Sequence, residues 1–126
     1  MGAEAALAGA YLAKGIIGNT GTPGAPIVQF ALVVVPSTHS VTGTVHVTQA
    51  TAGGNYEGQV QGSIYSTGLG EVTQVVAFQG NIHPDGGTQP IELRFSAQMG
   101  IGSDWRGKGG FSYGTVHVEN VPVKPL

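Results

Sequence analysis

The sequence predicts an all-β domain, an antiparallel meander of seven or eight strands closed into a barrel or folded into a sandwich. Three observations predict it. Apolar and polar residues alternate at period two through one stretch after another, the mark of half-buried strands. Short connections rich in Gly, Pro, Asn and Ser separate the stretches, as an antiparallel meander requires. The pentapeptide Gly-Thr-Val-His-Val occurs twice, at Gly43 to Val47 and at Gly114 to Val118, and each copy puts its two valines on one face.

The elements follow in order. Gly9 to Ile17 is the first apolar stretch, and it closes on Gly18-Asn19-Thr20-Gly21-Thr22-Pro23-Gly24, a cluster of turn formers. Ile27 to Val35 places Val28, Phe30, Leu32 and Val34 on one face and Ala31, Val33 and Val35 on the other, so it reads as the most buried strand. Pro36 ends it, and Ser37 to Ser40 lead into Val41 to Gln49, where Val41, Val45 and Val47 oppose Thr42, Thr44, His46 and Thr48. After Ala52-Gly53-Gly54-Asn55 comes Tyr56 to Ser66, with Tyr56, Val60 and Ile64 inward beside Gly58 and Gly62. The turn Thr67-Gly68-Leu69-Gly70 precedes a fifth strand with Val72, Val76, Phe78 and Ile82 inward. The loop His83 to Gly87 follows it. Ile91, Leu93, Phe95, Ala97 and Met99 alternate cleanly with Glu92, Arg94, Ser96 and Gln98, and Phe111 to Val121 is the seventh and last strand. A helical turn or two is permitted only over Glu4 to Leu12, where Ala is frequent. Seven is an awkward count for a closed antiparallel barrel. Either residues near the N-terminus supply an eighth strand, or the sheet stays open and buries its edge in an oligomer.

With 126 residues the chain makes one domain, residues 1–126, large enough to bury a core. Its 40% hydrophobic content, much of it β-branched, is sufficient for that core, so the 22 Gly read as turns and close strand packing rather than a disordered tract. Five basic residues against seven acidic ones, scattered from Lys14 to Lys124, give no surface that tracks phosphates, and no nucleic-acid partner is expected. A surface with so few charges resists association weakly, so a homo-oligomer is expected. The absence of Cys excludes disulfides and thiolate chemistry. No run of apolar residues is long enough for a transmembrane helix, and Met1 to Ala8 lacks the basic region and apolar core of a signal peptide, which leaves the compartment open.

The segment Gly100 to Gly110 reads as the longest turn and concentrates rare residue types: the only Trp, one of the Asp residues and two cations. Asp104, Trp105, Arg106 and Lys108 are therefore the candidate ligand-binding residues. Trp105 would stack on a sugar ring or another flat ligand while its charged neighbours direct hydrogen bonds. The structural alternative is that Trp105 plugs the barrel end, Asp104 caps a turn and the cations are solvated. His46 and His117 hold equivalent places in the two repeat copies and would make a metal or pH-sensitive pair only if their strands were neighbours, which a meander does not provide. His39 and His83 fall in turns. No two carboxylates among Glu57, Glu71 and Glu92 are spaced to force a pair, and no nucleophile elbow, phosphate loop or zinc helix occurs. No cofactor, metal site or catalytic residue is assigned.

Ile16 to Leu32, with Gly21-Thr22-Pro23-Gly24-Ala25-Pro26 leading into an alternating strand, followed by Val41-Thr42-Gly43 and Thr48-Gln49-Ala50-Thr51, resembles a bacterial family of small uncharacterised β domains, catalogued as a domain of unknown function. The resemblance covers about the first half of the chain and implies an all-β fold without supplying site residues. Gly107-Lys108-Gly109-Gly110-Phe111 entering a long strand is similar to dirigent and allene-oxide-cyclase-like barrels, although the acidic residues of their cavities have no counterpart here. Two functions from different classes follow. One is a non-enzymatic binding or self-assembling module that takes a carbohydrate; the other is a calycin-like or dirigent-like barrel that binds or isomerises a small apolar molecule inside. The inward glycines at 58, 62 and 80 discriminate them, since they either let strands approach closely or leave a hollow.

Overall fold

The computed structural model describes residues 9–49, 55–68, 70, 72–84 and 91–126. Eight strands follow one another: β1 (Tyr11–Ile17), β2 (Ile27–Val35), β3 (Ser40–Thr48), β4 (Asn55–Ser66), β5 (Gln74–Pro84), β6 (Leu93–Ile101), β7 (Gly107–Tyr113) and β8 (Val116–Pro125). Each pairs antiparallel with the next, and β8 returns to pair with β1, so the sheet is a closed barrel. Closure runs through Gly15 opposite Pro125, Ile16 opposite Lys124 and Ile17 opposite Val123. The Leu126 N–H donates to the Lys14 carbonyl at 3.0 Å, and the Gly18 N–H to that of Pro122 at 2.9 Å.

The eighth strand does not come from the N-terminal residues. It arises because Phe111 to Val121, expected as one strand, is a hairpin. Gly114 adopts φ 55° in the first central position of a two-residue turn, and Thr115 stays outside the left-handed region, the pattern of a type II′ connection. The second pentapeptide copy therefore straddles a turn, while the first lies wholly inside β3. The same region hides a second difference. β6 runs on to Ile101 and β7 starts at Gly107, so the long turn shrinks to residues 102–106. Gly107, Gly109 and Gly110 carry no side chains to show alternation, and a strand made of them reads as loop. No helical turn reaches Leu12, which lies in β1; residues 4–8 of that expectation fall outside the described residues, as do 52–54, Leu69, Glu71 and 85–90.

Alternation decides what fills the barrel. Val28, Phe30, Leu32 and Val34 of β2, Val41, Val45 and Val47 of β3, Val76, Phe78 and Ile82 of β5, and Phe95, Ala97, Met99 and Ile101 of β6 are buried as their spacing demands. At the strand entrances the expectation fails: Val72 and Ile91 precede their strands and are exposed. The rings of Phe30 and Phe78, and of Phe78 and Phe95, stand 6.2 Å apart across the interior. No polar or charged residue is buried among the described residues.

Inward glycines resolve into close strand approach. A Cβ on Gly58 would run into the Asn81 carbonyl oxygen, one on Gly62 into that of Ala77, and one on Gly80 into that of Gln59. Missing side chains let neighbouring backbones come together where the sheet curls tightly around four phenylalanines. Closure also removes the open edge through which an oligomer was expected to form.

Candidate functional site

Because the interior is filled, the recesses that matter lie on the outer face and at one barrel end. Strand register builds the larger of these two among the described residues. In β2 to β5 the outward residues Gln29, His46, Glu57 and His83 stand in a row, each directly opposite the next. The adjoining row is Lys14, Ala31, Thr44, Gln59 and Asn81. Directly opposed side chains start about 5 Å apart, so the first row is a contiguous strip of polar groups and the second is one interrupted only by Ala31. Short Ala31 and Thr44 sit between long neighbours, and Gly58 adds no side chain, which opens a groove of about 830 Å³ floored by Phe30 and Val45.

This groove holds an ammonium, a carboxylate, two imidazoles and three primary amides. Such a set offers donors and acceptors in alternation and no hydrophobic lock. Among the described residues no group of three or more His, Cys, Asp or Glu is arranged to hold a metal ion. Thr44 and Gln59 also line a smaller recess of about 530 Å³ with Thr42, Gln61 and Gln79, which continues the polar face along β3, β4 and β5.

At the other end the groove meets the Trp105 loop. Lys14 and Leu126 line both the groove and a second recess of about 650 Å³ that includes Tyr11, Leu12, Ser103, Asp104, Trp105 and Pro125. Trp105 is partly buried against the core, its ring 6.0 Å from that of Phe30 and 6.4 Å from that of Tyr11, edge-on to the latter. Its backbone stands at φ 63°, a conformation that costs a bulky residue of order 1 kcal/mol or more and persists only where packing over-determines it. The Trp105 N–H donates to the Gly102 carbonyl at 3.0 Å, which holds the tight loop.

The four sequence candidates are not one cluster. Asp104 and Trp105 share the end recess, with Asp104 Oδ1 accepting from the Arg106 N–H at 3.1 Å as a turn cap. Arg106 stands outside the recess lining, its Nε 3.9 Å from Asp104 Oδ2 and both side chains about two-thirds exposed, so this pair adds little to stability. Lys108 lies on β7 opposite Gly100 and lines a different groove with Gln98 and Glu119. Trp105 thus plugs the barrel end and still presents part of its ring.

Sequence reasoning missed His83 as a site residue, because it reads as part of a turn. It is in β5, opposite Glu57. His39 does sit in a turn, at φ 54°, and its ring stacks on Tyr65 at 4.9 Å. His46 and His117 are not neighbours, since β1 and β2 stand between β3 and β8. His117 is exposed and holds two partners on its own hairpin, Ser112 and Glu119.

A last polar contact lies at the opposite barrel end, where the Tyr113 hydroxyl donates to Gln49 Oε1 at 3.0 Å. Burial pushes the Tyr113 phenol up from its ordinary value, and the neighbouring Tyr56 adds to the shift. A phenol raised in the folded state stabilises the fold below about pH 10 and loses that contribution as pH rises through its folded value. Tyrosinate absorbance is expected to show a component titrating above the usual range that Tyr113→Phe removes. The wild-type protein is expected to lose stability across that window more steeply than the variant.

The family model for DUF1842, a domain of unknown function, matches residues 8–117, and the chain belongs to that family. No curated protein matches it.

Proposed function

We propose that this barrel is a binding module that takes an extended polar ligand, a carbohydrate chain, along its outer face. One observation carries the reading: the polar groove and the aromatic end recess share Lys14 and Leu126, so the two form one path. A sugar chain has hydroxyls that amides, carboxylates and imidazoles meet in pairs, and apolar ring faces that a partly exposed tryptophan ring can stack on. Gln29, Glu57, Gln59 and Asn81 serve the hydroxyls, and Trp105 with Tyr11 serves the terminal ring. Asp104 contributes from the loop; Arg106 and Lys108 have no direct part.

The reading in which a small apolar molecule is bound or isomerised inside finds less support. A cyclase-like cavity needs space and an acid within the barrel, whereas the described interior is apolar and threaded by Phe30, Phe78, Phe95 and Phe111. Self-association loses its strand-edge rationale with closure. What remains for it is the low surface charge and the outward pair Leu12 and Val33, directly opposite one another and both exposed.

Glycan-array binding tests the proposal. The wild-type chain is expected to retain a glycan, and Glu57→Ala and Trp105→Ala each to weaken that binding by about tenfold or more, since loss of a charged hydrogen bond or a stacked ring is worth about 1.5 kcal/mol. Circular dichroism of both variants checks that the barrel persists. A wild-type protein that binds no glycan, or variants that bind as well as wild type, would remove the proposal.

A further inference from the structure

The β7–β8 hairpin carries a second chemistry, away from the groove. Ser112 and His117 are directly opposite. In a hairpin closed by two residues, Tyr113 and Val116 exchange the hydrogen bonds next to the turn, so Ser112 and His117 form the following non-hydrogen-bonded pair, the closer of the two pair types. Their side chains meet: Ser112 Oγ lies 2.6 Å from His117 Nδ1. The other ring nitrogen is engaged too, with His117 Nε2 3.0 Å from Glu119 Oε1.

Glu119 lies at a local irregularity. The pairing of β7 and β8 shifts between Gly109 and Phe111, so Glu119 and Asn120 together oppose Gly110, and Asn120 stands at φ 58°. His117 and Glu119 are two residues apart on β8, so ordinary strand alternation puts the carboxylate beside the imidazole, and the bulge follows directly after. Both groups are well exposed, at 59% and 71% of the side chain, so the contact contributes little to folding. Its consequence is the tautomer: a carboxylate accepts only from N–H, which puts the proton of neutral His117 on Nε2 and leaves Nδ1 bare to accept from the serine hydroxyl.

We propose that Ser112 is a nucleophile activated by His117 and Glu119, and that it is acylated by small activated esters. The Ser112 oxygen attacks the ester carbonyl carbon while its proton passes to His117 Nδ1, and Glu119 stabilises the resulting imidazolium. The tetrahedral adduct collapses with cleavage of the bond to the leaving alcohol, which takes the proton from His117. Water, deprotonated by His117, then attacks the acyl-serine, and the carboxylic acid departs with Ser112 restored. Ester and water give acid and alcohol, with no change of oxidation state. An adjoining groove of about 470 Å³ shares Glu119 and is lined also by Gln98 and Lys108, so an amide and an ammonium stand on the same side of the hairpin as the trio. Activated esters are the fitting class, because a good leaving group asks least of an exposed site.

The test incubates the folded protein with p-nitrophenyl acetate, follows nitrophenolate release, and maps acetyl groups by peptide mass spectrometry. Acetylation at Ser112 is expected. Ser112→Ala should abolish it, and His117→Gln should slow it by about 10²-fold or more, the scale of general-base assistance. Glu119→Gln should slow it by a smaller factor. Circular dichroism verifies each fold, and Ser96→Ala, on the neighbouring strand opposite Ser112 and outside the hydrogen-bonded trio, serves as a variant expected to react normally. Acetyl groups confined to lysines, or a release rate unchanged in Ser112→Ala or His117→Gln, would overturn the proposal. Glycan binding is read separately, so failure here leaves the groove reading standing.

Discussion

Val45→Asp is expected to unfold the barrel. Val45 lies inside β3, opposite Phe30 of β2 and Gly58 of β4, and no buried cation or polar group is described that an aspartate could meet. An unpaired carboxylate there costs about 3–5 kcal/mol, in addition to the packing that Val45 loses. Domains of this size have only about 5–15 kcal/mol to lose. Urea denaturation should show a midpoint collapsing toward zero, or a protein recovered only in inclusion bodies. His46→Gln, one residue away on the outer face, should leave the unfolding free energy within about 0.5 kcal/mol of wild type. A well-folded Val45→Asp protein would mean that β3 runs in the other register, with His46 and Thr44 inward.

Gly62→Ala should be nearly as damaging, although it adds a single methyl group. That methyl would be driven into the Ala77 carbonyl oxygen and would stand 2.6 Å from the Phe78 Cα, both of them backbone atoms of the neighbouring strand. Side chains can rotate out of a clash; a paired strand has to move. Overpacking typically costs about 1–3 kcal/mol, and a contact that only sheet distortion relieves belongs at or above the upper limit. Gly21→Ala is the matched control, for its Cβ would meet nothing nearer than Asn19 Oδ1 at 3.8 Å. Thermal melts of the two variants separate the readings: a large fall for Gly62→Ala and no change for Gly21→Ala are expected. Equal, small effects would indicate a looser barrel with room inside.

The contrast between these two glycines shows where sequence was informative and where it was not. Period-two alternation is a property of one strand, so β1 to β6 could be read from Phe30, Val45, Phe78 and Phe95 without a partner in view. Pairing is a property of two strands, and nothing in the local pattern around His46, Glu57 or His83 reveals that the sheet sets them side by side. The same blindness hid Ser112, His117 and Glu119, because their hairpin turn lies inside a repeat that elsewhere forms uninterrupted strand. Gly58 and Gly62 could be assigned to the inner face, but only neighbouring carbonyls decide between close packing and a hollow. The Trp105 loop was found from composition alone, since rare residues concentrated there. Its continuity with the groove needed Leu126 brought back beside Lys14 by barrel closure.

The claim that ligand lies on the outside of a filled barrel is tested most directly by intermolecular nuclear Overhauser effects with the strongest glycan from the array. Contacts from ligand protons to the imidazoles of His46 and His83 and to the Trp105 indole are predicted. Contacts to the Phe78 and Phe95 rings or the Met99 methyl group would place the ligand inside the barrel and contradict the account.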